Sequence, residues 1–343
     1  MDFKAIMSNG DNCKNPTIFS IFLSGALEKM DSWCIFLYFF IITLGTVCNI
    51  LSLWIVAKSR VFHANLQFPI WWTAFAWFEI ATSKILIILY QVMYLEADNG
   101  VKDFPPENSS GIMLLAWSAS MHYHFIFSVL AAPFIVIIER GFATWFIYDY
   151  EKKRRGWILV LILLVQNSFS GGLTILTLLN ITSYIEVAIF GFSTSAASLT
   201  LFLWLRNLNV KKLARLKVEL KLGQLSAKYQ LRENLKTFRM IVKIFALVLI
   251  LMMILIVLKT LPVVFFAVDD QRKLWFRNIT DMIVHAGPIY VTICIIFAVD
   301  DYHHIFRQIF GWKTAKISPV PIFGGPKIES DLYFELLKKA MNK

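Results

Sequence analysis

The sequence predicts an all-α integral membrane protein: a seven-transmembrane helix bundle with its amino terminus outside the cell and its carboxyl terminus in the cytoplasm. Three observations carry this prediction. Of the 343 residues 57% are hydrophobic and 17% charged, with 30 Phe and 11 Trp, which is too apolar for an ordinary soluble domain. Seven continuous apolar stretches are each long enough to cross about 30 Å of hydrocarbon at about 1.5 Å per residue. The basic residues are also partitioned: 25 of the 34 Lys and Arg fall on one side of these stretches and seven on the other. The richer side is cytoplasmic by the positive-inside rule, so the net charge of +11 reflects membrane topology and does not point to a nucleic-acid partner.

Residues 1–32 form an outer segment. It is polar and mixed except for 17–27, which is too short to span, so no cleavable signal peptide is evident and the first span serves as an uncleaved anchor. The spans are 33–57, 68–94, 111–138, 157–179, 184–205, 240–268 and 275–299. Continuous apolar runs without alternation favour helices over a barrel. Sequons at Asn108, Asn180 and Asn278 fall on the outer side in this topology, whereas Asn15 is ruled out by Pro16.

Between the fifth and sixth spans, residues 206–239 hold ten basic against two acidic residues, and Leu208, Leu213, Leu216 and Leu220 recur near helical spacing. This pattern extends both helices into the cytoplasm. The basic face suits anionic membrane lipid, at roughly 1 kcal/mol per residue, as well as it suits a docking partner. Residues 300–343 form a cytoplasmic tail. Its stretch 302–312 places Ile305, Phe306, Ile309 and Phe310 on one face, as a helix lying in the membrane interface would.

Catalytic and metal chemistry find no foothold in the pattern. The four cysteines, Cys13, Cys34, Cys48 and Cys294, lack zinc or redox spacing, although Cys13 and Cys34 both suit the oxidising side and a disulfide between them stays open. Six histidines are too few for the boxes of a membrane di-iron enzyme, and His122 and His124 point about 200° apart on a helix, so they cannot share one metal. No phosphate loop or nucleophile elbow occurs. No catalytic residue, metal or cofactor is therefore expected. A transporter or channel is the alternative class, but seven spans without internal similarity argue against inverted repeats.

Ionisable residues within spans are costly, at least about 2.5 kcal/mol on the insertion scale, and so face the interior or a partner. Counting from helix ends puts Glu79 and His122 near mid-membrane and His285 at about 15 Å depth. Glu79 is accordingly expected to be held by His122 or His285. Lys84, Glu186 and Lys259 sit nearer the outer face, where a ligand can reach them, but snorkelling explains the two lysines slightly better than ligand contact does, and Glu186, two residues inside its span, is also within reach of water. A ligand pocket in the outer half of the bundle draws on these six residues.

The third span ends in Glu139-Arg140, and the string from Glu139 to Glu151 reads ERGFATWFIYDYE. This string resembles the signature following the third helix of nematode serpentine chemoreceptors of class epsilon, the Sre family. The segments Tyr229-Gln230-Leu231-Arg232-Glu233-Asn234 and Phe62-His63-Ala64-Asn65 resemble that family as well. The resemblance implies a G-protein-coupled receptor fold, a small-molecule chemical ligand, a heterotrimeric G protein as partner, and a plasma-membrane location in sensory-neuron cilia. It also implies a G-protein contact at Glu139 and Arg140, joined by the basic ends of the fifth and sixth helices through Lys211, Lys212, Arg232 and Lys236.

Overall fold

The computed structural model describes residues 32–58, 64–94, 109–147, 156–179, 181–182, 184–218, 271–298 and 300–309, with scattered positions between 231 and 258. All regular structure among them is helical. In chain order the helices are α1 (Ser32–Lys58), α2 (Ala64–Tyr94), α3 (Ser109–Trp145), α4 (Gly156–Leu178), α5 (Tyr184–Val218), α6 (Gln271–His285), α7 (Gly287–Ala298) and α8 (Asp300–Ile309). Six helical segments among the described residues are long and apolar enough to cross a membrane, the last running from Trp275 to Phe297 through both α6 and α7. The remaining predicted span, 240–268, lies largely outside the described residues together with Lys259, although Ile250, Leu251, Met253, Ile254, Leu255, Val257 and Leu258 within it are helical.

Bilayer hydrocarbon is as apolar as leucine, so helices associate through close packing and polar ties, and their outward faces stay hydrophobic. That inside-out arrangement is plain in α4. Its buried side chains, Ile158, Ile162, Gln166, Ser170, Thr174 and Thr177, recur at four- and three-residue steps and are mostly polar. Val160, Leu161, Leu164, Val165 and Ile175 are exposed. The α4 hydroxyls are satisfied locally: Thr174 donates to the Ser170 carbonyl at 2.7 Å and Thr177 to that of Leu173 at 2.9 Å. Helix α1 follows the same rule, burying a stripe through Tyr38, Ile42, Gly45 and Asn49 while Phe36, Phe40 and Val47 face out.

Polar ties fix the neighbours. Between α2 and α3, Ser83 donates to the Ser118 carbonyl at 2.8 Å and Ser118 returns the bond to the Ser83 carbonyl at 2.9 Å. Two short side chains let these backbones approach closely. Asn49 of α1 donates to the Ala74 carbonyl of α2 at 2.8 Å, and Thr292 of α7 to the Cys48 carbonyl of α1 at 3.0 Å. Gly45 lies where α1 meets the break between α6 and α7: a Cβ there would stand 3.3 Å from both the His285 carbonyl oxygen and the Trp77 ring. A larger residue would hold the helices apart.

The seventh predicted span is interrupted at Ala286. Pro288 has no N–H to donate, and the Ile289 amide bonds to Ala286 at 3.0 Å, so the His285 carbonyl turns toward Gly45. Helices α3 and α5 run on past the predicted 138 and 205, to Trp145 and Val218. The α5 extension agrees with its leucine spacing. Residues 303–343 form a separate compact unit. Within it the helix continues to Ile309, with Ile305, Phe306 and Ile309 half-buried and Arg307 and Gln308 exposed, the division the sequence pattern anticipated.

Candidate functional site

At the end of the bundle where α3 and α5 finish, the Glu139 and Arg140 side chains are almost wholly buried. The Glu139 carboxylate accepts from Arg140 Nε at 2.5 Å and from Nη2 at 2.7 Å, a two-pronged contact that fixes the guanidinium plane. The remaining arm, Nη1, donates to Asn234 Oδ1 at 2.8 Å. One turn on, the Thr144 hydroxyl lies against both the Arg140 carbonyl, 2.8 Å, and Asn209 of α5, whose Nδ2 donates to it at 3.0 Å. Lys212 donates to the Thr144 carbonyl at 3.2 Å. Aromatic packing backs this polar assembly: Phe202 and Phe238 meet edge to face at 4.7 Å, with Ile137 and Leu205 beside them. Arg140 is thus turned into the protein and tied to the segment preceding 240–268.

A second polar group lies deeper, between α2, α3 and α4. Glu79 accepts from His124 Nδ1 at 2.6 Å, and His124 Nε2 lies 3.0 Å from the Ser170 hydroxyl. This corrects the expectation that His122 or His285 holds Glu79. His122 is buried edge-on to the Tyr123 ring at 5.5 Å, and His285 Nδ1 donates to its own helix at the Asp281 carbonyl, 2.7 Å. The cause is helix phase: His122 and His124 face opposite ways, and His124 is the one aimed between α2 and α4. The carboxylate, imidazole and hydroxyl follow the order of a hydrolytic triad, but the Ser170 side chain is fully buried and its hydroxyl also lies 2.9 Å from the Gln166 carbonyl. The arrangement is a three-helix staple.

The third group joins α1, α2 and α6. Lys84 is 5% exposed and does not snorkel to an interface. Its Nζ meets Asp281 Oδ2 at 3.3 Å and stands 4.0 Å from the centre of the Tyr38 ring, so a carboxylate and a ring face share the cation. The Tyr38 hydroxyl donates to the Asn278 carbonyl at 3.0 Å. Tyr38 and Trp77 both pack edge-on against His285, at 5.8 and 6.2 Å.

Of the other predicted residues, Glu186 is exposed in the first turn of α5, where a carboxylate complements the helix dipole. Lys211 and Lys212 are exposed on α5, and Arg232 is exposed. Asn278 stands inside the candidate span, and the hydroxyl of its sequon partner, the fully buried Thr280, is donated to the Phe276 carbonyl at 2.8 Å; this placement counts against a glycan there. Cys34 is buried in α1. Lys236, Asn108, Asn180 and Cys13 lie outside the described residues. The sequence did not single out Asp281 or Asn209, Asn234 entered only within the Tyr229–Asn234 string, and His124 was considered only as a metal ligand and set aside. Asp281 carried a signal: it lies ten residues into α6, about 15 Å, as Lys84 lies ten residues from the end of α2.

Comparison with known proteins agrees with this architecture. Residues 7–342 match the family model described as Sre G protein-coupled chemoreceptor. Serpentine receptor class epsilon-21 of Caenorhabditis elegans is 25% identical over 319 residues, covering 88% of this chain and 84% of that one. Class epsilon-31 of the same organism is 24% identical over 61% of this chain and 62% of its own. Class epsilon-1 is 26% identical over 62% and 61%. With a helical membrane bundle, a buried Glu-Arg pair where α3 ends, and a match over nearly its whole length, the chain belongs to the Sre family of G protein-coupled chemoreceptors.

Proposed function

We propose that the chain is a chemosensory receptor at the plasma membrane of sensory cilia. It binds an external small molecule between its helices and signals to a heterotrimeric G protein in the cytoplasm. In this reading the amino terminus is outside, Asn108 and Asn180 are the glycan acceptors, and no catalytic step takes part. The observation that carries it is Arg140, a cation buried at 2% exposure and held by Glu139 and Asn234, in a chain of this family. A buried, fully engaged cation is a resting arrangement: an agonist that binds the alternative arrangement better shifts the population toward it, and the partner gains affinity reciprocally. Glu139, Arg140, Lys211, Lys212, Arg232 and Lys236 then form the G-protein contact, while the helix 300–309 lies along membrane lipid. Glu79, Lys84, His122, Glu186, Lys259 and His285 belong to the ligand-responsive part of the bundle, and the Glu79–His124 staple sets its geometry.

The test is a chemical panel applied to cells expressing the surface-tagged receptor with an energy-transfer sensor of Gα–Gβγ separation. Ion current and solute uptake are recorded in parallel. A compound that evokes sensor responses without current or uptake, with the response abolished by Arg140→Ala at equal surface expression, is the expected result. Current or uptake without a G-protein response would return the chain to the transporter or channel class.

A further inference from the structure

Lys84 has a chemical surplus. An ammonium carries three hydrogens, yet among the described residues Lys84 has one hydrogen-bond partner, Asp281, at a long 3.3 Å, plus the Tyr38 ring face. Its side chain is only 6% exposed, so bulk water does not supply the rest. A buried charge with unfilled donor positions is expensive unless something completes it. Against the same Tyr38 ring stands His285, 1% exposed, with Nδ1 committed to the Asp281 carbonyl and Nε2 left without a hydrogen-bond partner. Asp281 is the open side, at 21% side-chain exposure against 6% for Lys84.

Resting on the reading of the chain as a receptor for external small molecules, we propose that the Lys84–Asp281–Tyr38 cluster is the subsite that recognises a carboxylate on the ligand. The ligand carboxylate occupies the unfilled donor positions of Lys84, competing with Asp281 for the ammonium. The rest of the ligand lies on the Asp281 side of the cluster, the less buried one. The feature that separates this from a purely structural α2–α6 ion pair is the competition: a structural pair is weakened by losing Asp281, whereas a carboxylate subsite gains from it.

The experiment uses the full-length receptor in lipid nanodiscs, with sodium hexanoate, 1-hexanol and hexylammonium as probes of matched length and different charge. Thermal stabilisation is titrated against each. Hexanoate is expected to stabilise the parent more than hexanol, and hexylammonium not at all. Lys84→Gln is expected to weaken the hexanoate response roughly ten- to a hundredfold, the worth of a hydrogen bond to a charged group, and leave the hexanol response alone. Asp281→Asn is expected to lower the hexanoate half-saturation concentration about tenfold, and this arm decides the matter even if Lys84→Gln fails to fold. Equal stabilisation by hexanoate and hexanol, or a hexanoate response unchanged by both substitutions, overturns the subsite. Neither result touches the receptor reading, whose test is G-protein signalling in cells.

Discussion

Replacing Asn234 with Ala removes a hydrogen bond that joins Arg140 to the segment before 240–268, at 2.8 Å between residues exposed by only 2% and 3%. A buried bond to a charged group is worth about 1.5–3 kcal/mol, and every 1.4 kcal/mol or so is tenfold in an equilibrium. If the resting arrangement holds this bond and the active one does not, the substitution favours the active state by a factor of at least about ten. A receptor that is roughly 1% active without ligand then becomes about 9% active, which is large against the usual basal signal. Asn234→Asp is the counterpart: it keeps an acceptor facing Arg140 and eliminates Nδ2, which is buried without a partner, so basal activity should stay at or below the parent's. The assay is ligand-independent G-protein sensor output normalised to surface receptor. Basal output in Asn234→Ala equal to the parent at matched surface density would refute the latch.

Three further outcomes are expected. A double-mutant cycle between Glu79→Gln and His124→Gln, read by thermal unfolding in nanodiscs, should give a coupling of about 1 kcal/mol or more, and the same cycle with His122→Gln should give none; equal couplings would refute the assignment of His124. Gly45→Ala puts a methyl 3.3 Å from the His285 carbonyl oxygen and from the Trp77 ring, so it should cost about 1–3 kcal/mol, seen as a lower unfolding temperature, with Gly45→Val worse. An epitope inserted between residues 219 and 230 should stain only permeabilised cells, while one beside Asn108 should stain intact cells; the reverse pattern would invert the topology.

Helix content was legible because membrane spans announce themselves by length and continuous apolarity, and the Glu139-Arg140 pair because two charges at a helix end stand out against that background. Partnership was less legible. Depth along a helix can be counted, which placed Glu79 and His122 at one level, but the angle each helix presents to its neighbours cannot, and His124 lies about 200° from His122. Lys84 shows the same gap: a long stem reaches an interface or a carboxylate on another helix with equal ease, and only the packing of α1 against α2 and α6 decides. Asn209 left no trace, since a neutral amide near a helix end costs little and looks like any other polar residue, and Asn234 stood out only as part of the Tyr229–Asn234 string, with no partner indicated. The reversed polarity of α4, by contrast, was written in its four-residue spacing of Ile158, Ile162, Gln166 and Ser170 and needed only to be read with lipid as the solvent.

The break at Ala286 makes the last membrane-crossing segment a lever. Below it α7 is anchored to α1 through Thr292 and Cys48; above it α6 extends fifteen residues, or about 22 Å, to Gln271. A rotation of about 10° at that fulcrum carries the far tip of α6 through roughly 4 Å, whereas Asp281, five residues up, travels only about 1 Å. The arithmetic also runs backward. An ångström of pull on the Asp281 carboxylate, the difference between engaging Lys84 and releasing it, is returned about threefold at the tip, so the fulcrum turns a single ion-pair distance into a movement the size of a side chain.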